Sequence, residues 1–185
     1  MTPDVASIFH LMPQFGAGTV IPSDVRLILI DCFDTLVEFR DWQWRPRRGV
    51  VALLSHFHVN GVPRAVISDA AADTVASALA QSGLAMYIDR VYDGDLAADP
   101  LSDGQRRKRL DLPLADFAVA PAQVVFIGDS QADAEAASHF KVPFVRVPRG
   151  EDSTFDFSVL LHGPSRYDSG DFSAKMLDHW RKPMN

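Results

Sequence analysis

Three apolar runs in this chain stop abruptly at a polar residue: 27–30 at Asp31, 65–67 at Ser68, and 124–127 at Gly128-Asp129. A short run with no polar side chain on either face suits a strand covered on both sides, as in a parallel sheet. Strands are therefore expected at 26–31, 64–68 and 124–127, with shorter ones at 89–92 and 142–147.

Between the runs the apolar period changes. Over 49–60, Val50, Leu53, Leu54 and Phe57 recur at helical spacing and Gly61 suits a terminator. A second helix, capped by Asp69 or Asp73, carries Val75, Leu79 and Ala80 and closes at Gly83, and a third covers 132–140. The polar stretch 95–109, with Pro100 and Gly104, reads as mostly loop, and 108–120 as holding a short helix that Pro113 starts or interrupts. This alternation predicts an α/β fold, a doubly wound (Rossmann-like) parallel sheet over 25–150. Residues 1–24 read as an irregular lead-in, and 151–185 as a tail without assigned structure.

In a parallel sheet the carboxyl ends of the strands share one edge, where catalytic groups gather. Asp31, Ser68 and Asp129 are thus expected at one rim. Ser68 or Asp129 taken alone reads more readily as a turn or cap residue.

Composition narrows the possible roles. The chain has 185 residues, 47% of them hydrophobic, which suits a folded domain, and its net charge of −6 argues against nucleic acid as a partner. The single cysteine, Cys32, excludes an internal disulfide, and no Cys/His pair has zinc spacing. The longest apolar stretches are far short of the ~20 residues that span a bilayer, and Asp4 stands where a leader would be basic. A cytoplasmic protein with no membrane partner is expected.

The strand-end sequences resemble the haloacid dehalogenase (HAD) superfamily. Leu-Ile-Leu-Ile-Asp31-Cys32-Phe33-Asp34-Thr35-Leu36 is similar to the first motif, an apolar strand followed by Asp-x-Asp-x-Thr. Ala-Val-Ile-Ser68-Asp69 is similar to the second, and Val124-Val125-Phe126-Ile127-Gly128-Asp129-Ser130-Gln131-Ala132-Asp133 to the fourth, Gly-Asp-x-x-x-Asp. The resemblance implies a Mg²⁺-dependent phosphohydrolase or phosphotransferase working through an aspartyl-phosphate on Asp31. Ser68 would donate to the phosphoryl group. The third-motif cation would be Lys108, with Arg106 and Arg107 as alternatives. Mg²⁺ would be held by Asp31, Asp129, Asp133 and the Phe33 carbonyl, although Asp133 also reads as an acidic residue in a first helical turn. The chemistry is coherent: a carboxylate can attack an anionic phosphoryl group only where a cation cancels their repulsion.

One position departs from the pattern. The family's phosphatases carry an acid two residues after the nucleophile, and this chain has Phe33, which can neither give nor take a proton. Asp34 is the candidate acid–base if the loop twists, because neighbouring residues of an extended chain point opposite ways. Three readings follow: a phosphatase limited to activated phosphates, a dehalogenase-like enzyme expelling halide without an acid, or a catalytically degenerate binding module. Asp129 and Asp133 favour phosphate chemistry.

Too few residues separate Asp31 from Ser68, or Ser68 from Lys108, for a large cap domain, so the site should be open to a phosphorylated small molecule or a phosphorylated group on a larger partner. The loop 38–48 holds Arg40, Trp42, Trp44, Arg45, Arg47 and Arg48. These six could form a stacking and anion-binding wall beside Asp31, with Trp44, Arg45 and Arg107 the residues expected to bind substrate; the alternative is packed tryptophans and solvated arginines. No Cys-x5-Arg follows Cys32, and the six histidines show no metal spacing.

Overall fold

A computed structural model describes residues 21–100, 106–150 and 154–162, together with the backbone of Gln14–Phe15. Six parallel strands form its central sheet: β1 (Gln14–Phe15), β2 (Leu27–Ile30), β5 (Arg64–Ile67), β6 (Arg90–Tyr92), β9 (Val124–Gly128) and β10 (Phe144–Arg146), in the order β1-β10-β9-β2-β5-β6. The chain winds outward from β2 through β5 to β6, then crosses back to β9 beside β2. That reversal places the topological switch point between β2 and β9, where the register pairs Leu27 with Val124 and Ile30 with Ile127.

Strand alternation explains the two layers. Ile28, Ile30 and Val66 face a core built with α1 (Val50–Val59) and α2 (Ala72–Gln81), whereas Leu27, Leu29, Ala65 and Ile67 face Ala136 and Ala137 of α5 (Gln131–Phe140). β2 and β5 are buried throughout, as apolar runs without a solvated face require.

Several local expectations change. The stretch 38–48 is a β-hairpin, not a loop: β3 (Val37–Arg40) pairs antiparallel with β4 (Gln43–Pro46). Its two-residue turn places Asp41 (φ 51°) and Trp42 (φ 64°) in the left-handed region, a turn ordinarily signalled by Asn-Gly. Packing of Trp44 on Phe33 outweighs that missing local signal. Within 95–109 the described residues are also regular rather than loop: the one-turn α3 (Gly94–Ala97) is followed by β7 (Ala98–Pro100), which pairs antiparallel with β8 (Arg106–Lys108), while 101–105 lie outside the described residues. Lys108 therefore ends a strand, and the helix that follows, α4, is only Asp111–Asp116. Neither Asp69 nor Asp73 caps α2, which starts after Ala71 with no side-chain cap.

The core also extends beyond residue 150. Phe155, Phe157 and Leu160, the last in α6 (Val159–His162), are buried, and the Ile21 N–H donates to the Leu160 carbonyl at 2.8 Å. Gly49 shows why this docking is specific: it has φ 78°, and a Cβ there would collide with Asp156 and the backbone of Phe157. The rest of the segment, from 163 onward, lies outside the described residues. Among the described residues no helix is long and apolar enough to cross a membrane.

Candidate active site

The switch point gathers three buried carboxylates. Asp31 follows β2 and Asp129 follows β9, and the Asp31 N–H donates to the Ile127 carbonyl at 2.9 Å, which locks the two strand ends together. Asp133 joins them from the first turn of α5. Each of the three offers an oxygen within 4.8 Å of the others. Gly128 makes the approach possible, since a Cβ there would lie 2.6 Å from Asp133 Oδ2.

Asp133 sits in the first turn of α5 and also reaches the carboxylate cluster. Its Oδ2 accepts from the Ser130 N–H at 3.2 Å while its own N–H donates to Ser130 Oγ at 3.0 Å, forming the capping box of α5, and Oδ1 accepts from Lys108 Nζ at 2.6 Å. Lys108 Nζ also donates to Asp31 Oδ1. Burial pulls the Lys108 pKa down, but Asp31 and Asp133 outweigh it and hold the ammonium well above its ordinary range. For Asp31, burial dominates the pull of Lys108 and, with Asp133 and Asp129, raises the carboxyl to about 7. Burial also raises Asp129, against the hydrogen bond from Thr35.

Asp129 accepts a hydrogen bond on one oxygen only. Oδ1 accepts from Thr35 Oγ1 at 2.9 Å; Oδ2 is buried and receives no hydrogen bond, although Arg149 Nε stands 3.2 Å away as an ion pair. Arg149 also donates to Asp34 Oδ2 at 3.2 Å. Asp34 has φ 57°, and this left-handed turn brings its carboxylate to the same cavity as Asp31, which an extended chain would not do. Gly150 packs beside it, where a Cβ would lie 3.2 Å from Asp34 Oδ1.

The cavity wall includes the carboxylates of Asp31, Asp34, Asp69, Asp129 and Asp133 and the cations of Arg106, Lys108 and Arg149. Five acidic residues face three basic ones there, an excess that a bound cation would offset. With the orphaned Asp129 oxygen and an all-oxygen donor set, these residues fit a divalent ion such as Mg²⁺. Phe33 lines the cavity beside Asp34.

Other candidates are placed elsewhere. Ser68 is fully buried and its Oγ accepts from the Ala70 N–H at 3.2 Å, a turn role, and it is absent from the cavity wall. In β8 the alternation puts Arg106 and Lys108 toward the cavity and Arg107 away from it, near His139. Arg106 is occupied by the carbonyls of Gly94 and Ala98. Trp44 packs against Phe33 and Phe39, with ring centroids at 4.8 and 4.9 Å, and Arg45 is half exposed and paired with Asp41. Neither Trp44 nor Arg45 reaches the cavity wall. Cys32 is buried and its thiol is pushed up to about 12, so it is no nucleophile. Sequence reasoning missed Arg149, whose available signal was its place just past the fifth expected strand, on the same rim.

Comparison with known proteins agrees with this geometry. The family model described as haloacid dehalogenase-like hydrolase matches residues 36–141, more than half of the chain, beginning just after the Asp31 loop. A phosphoglycolate phosphatase of Thiobacillus denitrificans (strain ATCC 25259 / T1) is 34% identical over 110 residues, covering 57% of this chain and 45% of that protein. The chain thus spans less than half the length of that relative. Among solved structures, a predicted phosphoglycolate phosphatase from Haemophilus somnus 129PT superposes with a TM-score of 0.61 at 15% identity, covering 76% of this chain and 98% of that one. An L-2-haloacid dehalogenase from Xanthobacter autotrophicus gives 0.54 at 14% identity, covering 66% and 77%. At such identities the structural likeness concerns the fold.

Proposed function

This chain belongs to the haloacid dehalogenase-like hydrolases, and on that premise we propose that it is a Mg²⁺-dependent phosphohydrolase or phosphotransferase with Asp31 as nucleophile. The observation that carries this reading is the Asp31, Asp129 and Asp133 cluster, with Lys108 bridging Asp31 to Asp133 and Asp129 Oδ2 left without a hydrogen bond. Mg²⁺ would be held by the three carboxylates and the Phe33 carbonyl, and would supply the positive charge that offsets repulsion between nucleophile and phosphoryl oxygens.

The residues divide the remaining work. Lys108 favours the ionised form of Asp31, which burial opposes. The Asp31 oxygen forms a bond to phosphorus as the ester P–O bond breaks, and a water later splits the acyl phosphate, returning Asp31. The first half needs a proton delivered to the leaving ester oxygen and the second a base to take one from the attacking water, and Phe33 can do neither. Asp34, held at the cavity by Arg149, is the candidate acid–base. Its neighbour's apolar ring confines efficient turnover to phosphates with good leaving groups. The substrate is a small phosphate ester or a phosphorylated group on a larger partner, in a cytoplasmic setting. The name of the Thiobacillus relative supports the small-molecule case.

Assay of acetyl phosphate, p-nitrophenyl phosphate and 2-chloropropionate, with and without Mg²⁺, tests this reading against the others. Mg²⁺-dependent release of phosphate that is abolished in Asp31→Asn is the expected result. Halide release without Mg²⁺ would establish the dehalogenase, and no turnover would leave a binding module.

A further inference from the structure

Arg47 is buried, at 4% exposure, yet lies outside the cavity wall. Its Nη1 donates to two consecutive carbonyls of the nucleophile loop, Asp34 at 2.6 Å and Thr35 at 3.4 Å, and Nη2 donates to the Arg149 carbonyl at 3.2 Å. The rings of Phe157 and Phe155 flank the guanidinium, with centroids 5.3 and 6.0 Å from its carbon. A planar fork with fixed N–H directions holds such acceptors in one relative geometry, which a flexible ammonium cannot do.

Those acceptors belong to the two segments that grip Asp129. The Thr35 hydroxyl holds Oδ1, and the Arg149 side chain stands beside Oδ2 and on Asp34. We propose that Arg47 is a positioning residue that sets the nucleophile loop against the Arg149 loop and so presents Asp129 to a divalent cation and Asp34 to the cavity. The aromatic segment at 155–157 becomes part of the support of the site, since it closes over the guanidinium. The effect on turnover rests on the phosphatase reading, whereas the effect on cation binding stands apart from it.

The test uses the full chain with Arg47→Met, Arg47→Lys and, as a destabilised control, Leu79→Ala in the α2 core. Mg²⁺ affinity is read by titration calorimetry, p-nitrophenyl phosphate turnover by steady-state kinetics, and stability by thermal unfolding. Partners of metal-binding groups typically contribute about 10–100-fold to affinity or rate. Arg47→Met is expected to weaken Mg²⁺ binding about 10-fold and to lower kcat more than it changes KM, with partial recovery in Arg47→Lys. Leu79→Ala should keep Mg²⁺ affinity at a comparable loss of Tm. If Arg47→Met does not fold, Phe157→Leu, which loosens the clamp and keeps the guanidinium, is expected to weaken Mg²⁺ binding in the same direction. Wild-type Mg²⁺ affinity in these variants, equal losses in Leu79→Ala, or a wild-type protein without Mg²⁺ affinity would overturn the inference. Wild-type protein that binds Mg²⁺ but releases no phosphate would sink the phosphatase reading and leave Arg47 judged on affinity.

Discussion

Thr35 Oγ1 donates to Asp129 Oδ1 at 2.9 Å in a buried bond between residues 94 positions apart. It ties the loop after β2 to the loop after β9 across the switch point, and it fills one oxygen of Asp129 while the other receives no hydrogen bond. The carboxylate is thereby aimed, not merely buried.

Thr35→Val keeps the shape and removes the donor, so Asp129 loses its hydrogen bond inside the protein. The expected cost is about 1–3 kcal/mol in urea unfolding. Mg²⁺ should restore part of that loss by mass action, so stability measured with and without Mg²⁺ separates the two contributions.

Asp31→Asn should alter the pH dependence of stability in metal-free protein. The folded carboxyl titrates near 7, raised by burial against the pull of Lys108, compared with an ordinary value of 3.8. Between those values the folded state holds a proton that the unfolded chain has released. The contribution of protonated Asp31 is therefore complete below the ordinary value and is lost as pH rises through about 7. In EDTA, the Tm of Asp31→Asn relative to wild type should climb over that interval and level off above it. A wild-type advantage growing with pH would contradict this account.

Phe33→Asp supplies a carboxyl at the position where the ring now lines the cavity. General acid–base groups typically contribute ~10²–10⁴-fold, so kcat/KM for an unactivated alkyl phosphate should rise by at least about 10-fold while aryl phosphates gain less. The ring contact with Trp44 is lost at a cost of about 1 kcal/mol, visible as a lower Tm. A uniform gain across leaving groups would mean that the ring hinders something other than proton transfer.

The hairpin turn can be improved. Asp41 and Trp42 both occupy left-handed conformations, and Trp42 is 90% exposed. The double change Asp41→Asn, Trp42→Gly fits the turn at lower backbone cost and removes only an exposed ion pair with Arg45 and an edge contact with Phe39. Thermal unfolding should show a gain of about 0.5–1 kcal/mol.

Short-range chemistry was readable in the chain. An apolar run without a polar face must be covered on both sides, so β2, β5 and β9 were legible, and the polar residue ending each one marked the carboxyl edge of the sheet, although Ser68 stays buried there and off the cavity wall. That edge brings Asp31 and Asp129 together. The choice among Arg106, Arg107 and Lys108 was harder, because it depends on the register of β8 against β7, a pairing whose strands carry no apolar signature. The hairpin at 38–48 lacked its turn signal and is held by Trp44 against Phe33. Asp34 reaches the cavity because its backbone turns left-handed. Arg47 and Arg149 act through carbonyls and carboxylates far along the chain, and Phe155 and Phe157 close over one of them. Sequence by itself determined which segments must be buried and which polar residues must end them, because burial is a property of each segment's own side chains. Tertiary structure decided which loops meet around Asp129, because hydrogen-bond geometry exists only once strand order has brought distant backbone together.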